Sequence, residues 1–94
     1  MAFSRRVPVA DMAFAELVLW EVPEPLSGST HRYKYRLAFV VAGECVLRYD
    51  NESGKGDHKH VRGREVKYRF VSVERLVADF FEEVKRWRDE NSND

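Results

Sequence analysis

Between residues 73 and 87 apolar side chains recur at helical spacing: Val73, Leu76, Val77, Phe80, Phe81, Val84 and Trp87. Ser72 stands where it can cap such a helix, and Glu74 falls in the first turn, where the helix dipole favours an acid. Asp79, Glu82, Glu83, Lys85 and Arg86 occupy the other side and read as a solvated face. The tail DENSND is expected to fray.

Upstream the period falls to two. In HRYKYRLAFVV, Tyr33, Tyr35, Leu37, Phe39 and Val41 share one face, and Arg32, Lys34, Arg36, Ala38 and Val40 the other, the signature of a half-buried strand. A second strand follows over residues 45–51. Pairing Val41 with Cys45 across a three-residue loop sets Phe39 against Leu47, Leu37 against Tyr49 and Arg36 against Asp50. A two-residue loop would set Leu37 against Arg48, so the longer loop is expected. EVKYRFV predicts a third strand, with Val66, Tyr68 and Phe70 on one side and Lys67 and Arg69 on the other. FAELVLWEV predicts a fourth, ended by Pro23 and Pro25. RRVPV reads as an edge strand joined to it by a turn near Asp11, because Pro8 is tolerated only at an edge. PEPLSGST is a connector. The expected fold is α+β: an antiparallel sheet of about four strands with a long C-terminal helix packed on one face, in two layers.

The chain has 94 residues, 44% of them apolar, which suits a single domain over 1–94 with its core at about 13–88. Its one cysteine, Cys45, is expected to face the core; it excludes a disulfide framework and fits a reducing, cytoplasmic setting. No apolar run is long enough to span a bilayer, and MAFSRRVPVADM lacks the apolar stretch of a secretory signal, so no membrane partner is expected. Acids and bases balance at sixteen each. The balance conceals a split, since residues 31–71 hold ten bases and five acids while both flanks are acidic.

That basic middle carries the candidate chemistry. Arg32, Lys34, Arg36, Arg48, Lys67 and Arg69 would stand on the open sheet face. A polar strand face is ordinarily just solvated. Charges of one sign on neighbouring strands repel, however, and a phosphate backbone is the commonest partner that offsets the repulsion. The loop RYDNESGKGDHKH is sharper. Asn51, Gly54 and Gly56 are turn formers, Lys55 and Lys59 add charge, and Asp57, His58 and His60 follow within four residues. If extended, the segment points His58 and His60 to one side and Asp57 to the other.

Such a pair could act as general acid and base on an RNA phosphodiester, with arginines stabilising the phosphate and no cofactor needed. It could instead bind a divalent ion with Asp57 or Asp50, although no second, separated ligand set supports that. It could also merely hydrogen-bond to backbone. Asp50, among bases, is better placed to orient Arg48 or a histidine than to act as a base. No role is assigned to His31.

At HRYKYRL, VLRYDNESGKGDHKH and YRFVSVERLVADFFEEV the chain resembles the TumE-type toxins of prokaryotic toxin–antitoxin modules, over about Glu16 to Val84. The block Tyr49, Asp50, Asn51, Glu52, Gly54, Lys55, Gly56, Asp57, His58, Lys59 and His60 carries most of the likeness. The resemblance implies a growth inhibitor acting on RNA or ribosome-associated RNA and restrained by a cognate antitoxin, commonly a helix-turn-helix protein. An open basic sheet beside a histidine-bearing loop also resembles the RelE-like and barnase-like ribonucleases. On that reading His58 and His60 transfer protons, with Asp57, Asp50 and Arg48 beside them. Arg32, Lys34, Arg36, Lys55, Lys59, Lys67 and Arg69 would hold RNA. The neutral net charge implies modest affinity for free RNA, supplemented by a targeted structure such as the ribosome.

Overall fold

Segments of period two, joined by three two-residue turns and two longer connectors, fold the chain into a meander. The computed structural model describes residues 2–52 and 54–92; Met1, Ser53, Asn93 and Asp94 lie outside them. Strands β1 (Ala2–Ala10), β2 (Ala13–Glu21), β3 (Tyr33–Val41), β4 (Glu44–Asp50), β5 (His58–Val61) and β6 (Arg64–Lys67) lie side by side in chain order, each antiparallel to the next. Helix α1 (Val73–Glu90) follows, capped by the Ser72 hydroxyl, which accepts from the Arg75 backbone N–H at 3.1 Å. Asn91 closes its other end on the Trp87 carbonyl. The α+β architecture matches the sequence reading, with six strands in place of about four.

The core forms where the apolar strand faces meet the helix stripe. Leu17, Leu19, Tyr35, Leu37, Phe39, Leu47 and Tyr49 cluster with Leu76, Phe80 and Val84. Trp87 and Phe80 set ring edges on Phe39 and Tyr49 at 5.5 and 5.8 Å between centroids. Burial pushes the Tyr49 hydroxyl well above the ordinary tyrosine range, assisted by Glu83 and Asp79. Among the described residues no helix covers the opposite sheet face.

The hairpins rest on turn chemistry that the apolar pattern does not display, and β5 is the strand that pattern leaves out. Ala42 and Gly43 both have positive φ, 50° and 81°, and close a two-residue hairpin with Val41 opposite Glu44. A bulge then restores the expected partners, Phe39 with Leu47, Leu37 with Tyr49 and Arg36 with Asp50. The pairing of core residues was therefore legible, and the three-residue loop was not. The bulge also puts Cys45 opposite Val40 and exposes it, correcting its expected place in the core. Arg62 and Gly63, with φ of 53° and 72°, close a second such hairpin between β5 and β6. The expected strand over 65–71 stops at Lys67; Tyr68 still donates its N–H in register to the Asp57 carbonyl, and beyond it Phe70 stacks on His31 at 3.8 Å.

The segment between β4 and β5 is pinned by backbone contact with the connector between β2 and β3. Gly54 N–H donates to the Ser27 carbonyl at 2.8 Å. A Cβ on Gly56, whose φ is +74°, would lie 2.7 Å from the Gly28 carbonyl oxygen, whereas one on Gly54 would meet nothing within 4 Å. Gly54→Ala is expected to cost only the left-handed backbone conformation, about 1 kcal/mol. Gly56→Ala adds a backbone overlap and is expected to cost about 2–3 kcal/mol. Urea midpoints of the two variants check this, and equal midpoints would refute the packing argument.

Candidate catalytic and RNA-binding surface

The registers align open-face residues in rows across the sheet. One row runs Val18, Arg36, Asp50, His58 and Lys67; the next runs Glu16, Ala38, Arg48, His60 and Glu65. Two strands thus place Asp50 directly against His58 and Arg48 against His60. Alternation along β5 puts both imidazoles on this face, their ring centroids 5.3 Å apart.

Their partners differ. The Arg48 guanidinium lies 2.7 Å from His60 Nε2; since arginine only donates, that nitrogen accepts and holds a lone pair. In His58, Nδ1 donates to the Gly56 carbonyl at 3.0 Å, while Nε2 meets the Asp50 carboxylate. Asp50 Oδ1 is buried against that nitrogen in a close contact that is not aligned for a hydrogen bond. His58 is buried beneath this contact and His60 is about one-third exposed. Arg48 Nε stands 2.9 Å from Asp50 Oδ2 but is not aligned for a hydrogen bond, so the contact is an ion pair alone. Glu65 approaches both rings, its Oε1 3.4 Å from His58 Nε2 and 3.7 Å from His60 Nε2. The sequence reading passed over Glu65, because its place opposite His60 depends on the Arg62–Gly63 turn. The VRGRE stretch held that signal: a glycine as the second residue of a two-residue turn.

Cations surround this cluster. Lys34, Arg36 and Lys67 share the face, and among the described residues none of them has an ion-pair partner; Lys34 lies over the Trp20 ring at 5.7 Å. Lys55 stands at the rim, 3.9 Å from Glu65 Oε1, and shares with His58, Glu65, Val66 and Lys67 the wall of a shallow depression. A second depression, on the other side of Asp50, is walled by Lys34, Arg36, Arg48 and Asn51.

Other expected site residues are not brought here. Lys59 alternates onto the helix side, where it lies 3.8 Å from Glu83 and over the Tyr49 ring. Asp57 also points away from the pair. It accepts from the Tyr35 hydroxyl at 2.8 Å and meets His31 Nε2 at 2.7 Å, in a nearly buried group whose His31 Nδ1 accepts from Tyr33 N–H. Burial, then the hydrogen bond to Asp57, raises the Tyr35 hydroxyl far above its ordinary range, which keeps it a donor. His31 and Asp57 thus lock the start of β3 to the loop. Arg32 and Arg69 are exposed but lie outside the strands, one before β3 and the other beyond β6. Arg36 sits opposite Asp50 as expected, yet the Asp50 carboxylate contacts Arg48 and His58 instead.

A family model described as Toxin TumE matches residues 4–88. No curated protein and no solved structure matches the chain. No link to the RelE-like or barnase-like ribonucleases is therefore shown. Among the described residues no helix is long and apolar enough to cross a membrane.

Proposed function

Because the chain belongs to the TumE toxin family, we propose that it arrests growth by cutting RNA at the His58–His60 pair, and that a cognate antitoxin restrains it. The observation that carries this reading is the unlike surroundings of two adjacent imidazoles, His60 Nε2 facing an arginine donor and His58 Nε2 a carboxylate, on a face whose Lys34, Arg36 and Lys67 have no ion-pair partner among the described residues.

The chemistry follows from those partners. A phosphodiester over the two rows draws the Arg48 guanidinium onto its oxygens and releases His60 Nε2. His60 then takes the ribose 2′-hydroxyl proton as the 2′-oxygen attacks phosphorus. The bond from phosphorus to the 5′-oxygen breaks, and His58 protonates that oxygen from Nε2, which turns from Asp50 toward it and is left with a lone pair. The products are a 2′,3′-cyclic phosphate and a 5′-hydroxyl, with no metal required. Asp50 orients His58, and Arg36 with Arg48 offsets the negative charge that builds on the phosphoryl oxygens. Lys34, Lys55 and Lys67 hold the flanking backbone.

Incubation of purified protein with end-labelled RNA in chelator tests this. Shortened RNA with cyclic-phosphate ends is expected. A shifted but intact band would establish a binding module using the same basic face, and cutting only after a divalent ion is restored would establish a metal-dependent nuclease. Either result ends the acid–base proposal.

A further inference from the structure

We propose that His58, His60 and Glu65 form a binding site for a borderline-soft transition-metal dication, of which zinc is the probe, and that occupation switches the toxin off. The consequence for activity rests on the histidine reading above; the binding itself does not.

The donor set has the chemistry and spacing. One ligand atom from each of His58, His60 and Glu65 lies within 4.8 Å of the other two. Two of the three edges are 3.4 and 3.7 Å. Ligands held at about 2.0–2.1 Å around a tetrahedral zinc stand about 3.3 Å apart, so small side-chain rotations close the set. Two imidazoles favour zinc over magnesium, which prefers oxygen ligands.

Two further observations point to a cation here. His58 Nδ1 donates to the Gly56 carbonyl, the outer contact that fixes a ligating imidazole with its Nε2 lone pair toward a metal. Asp50 Oδ1 is buried against that same Nε2. A carboxylate oxygen facing an imidazole nitrogen requires a proton between them or a cation beside them. A proton on His58 Nε2 fills that role, and a metal ion on Nε2 displaces it.

Arg48 opposes the metal. Its guanidinium occupies the His60 Nε2 lone pair, and its side chain is 33% exposed, so it can swing into solvent. Metal and substrate phosphate therefore displace the same hydrogen bond with opposite results. Phosphate frees His60 to act as a base, whereas the metal consumes its lone pair and removes the proton from His58.

Calorimetric titration of the metal-free protein with zinc, in the absence of RNA, tests the site. One ion per chain is expected, with binding lost in His60→Ala and weakened at least about 10-fold in Glu65→Gln, both variants keeping the circular dichroism of the parent. RNA cleavage by the parent should fall with the same zinc midpoint. Absence of binding, or equal binding by both variants, would overturn the site while leaving the cleavage reading intact. A rise in cleavage with zinc would overturn the inhibitory role. If the metal-free protein cuts no RNA, the cleavage reading fails while the titration still decides the site.

Discussion

His60→Ala lowers the rate of RNA cleavage by about 10²–10⁴-fold, the usual worth of a positioned general base, and leaves the melting temperature within about 3 °C of the parent. The two readouts separate because His60 is partly exposed and its one close hydrogen bond is to a partly exposed arginine, which water satisfies once the ring is gone. His58→Ala behaves differently. It loses cleavage to a similar extent and also destabilises the fold, since it removes a buried ring and leaves Asp50 with Arg48 alone and the Gly56 carbonyl without its donor. Single-turnover cleavage with thermal melts of both variants checks the pair. A His60→Ala protein that cuts at the parental rate would remove the base from the mechanism, and the growth arrest of that variant should fall in step with its cleavage.

The parts of this surface that were legible in the sequence are those set by alternation alone. Period two gave the common face of His58 and His60, the opposite face of Asp57, and the rows of β3 against β4. The same rule sends Lys59 to the helix side, yet Lys59 was counted with the RNA-binding cations because it lies between two candidate histidines in sequence. What alternation does not give is which residue stands beside which across a long loop. The contact of Arg48 with His60 and of Asp50 with His58 depends on β5 returning to β4 in one register after residues 51–57, and no apolar pattern in that polar stretch selects it. Cys45 shows the other limit. Its exposure depends on one bulge residue, a choice made by the positive φ of Ala42 and Gly43.

Asn51→Ala should cost about 3–5 kcal/mol, a large share of the about 5–15 kcal/mol that holds a domain of this size. Asn51 is 1% exposed and bonds backbone that the β3–β4 ladder does not reach. Its Oδ1 accepts from Tyr35 N–H at 2.9 Å, and its Nδ2 donates to the Tyr33 carbonyl at 2.6 Å and toward the Ser29 hydroxyl at 3.5 Å. Alanine leaves the first two groups buried without partners, at about 1–3 kcal/mol each, and adds a small cavity.

Asn51→Asp isolates the donor. One carboxylate oxygen still serves Tyr35 N–H, while the other faces the Tyr33 carbonyl and repels it unless protonated. Burial and that carbonyl favour the protonated acid, so the folded-state pKa of the introduced carboxyl lies above its unfolded value of about 3.9. The sign follows. Relative to the parent, Asn51→Asp is least impaired below that unfolded value, loses stability as pH rises through the interval up to the folded pKa, and stays impaired above it. Asn51→Ala shows no such pH dependence. Urea midpoints of both variants between about pH 3 and 8, each referred to the parent at the same pH, measure the difference. A flat Asn51→Asp profile, or an Asn51→Ala midpoint equal to the parent, would show that this side chain does not carry the junction on which the Asp50–His58 contact depends.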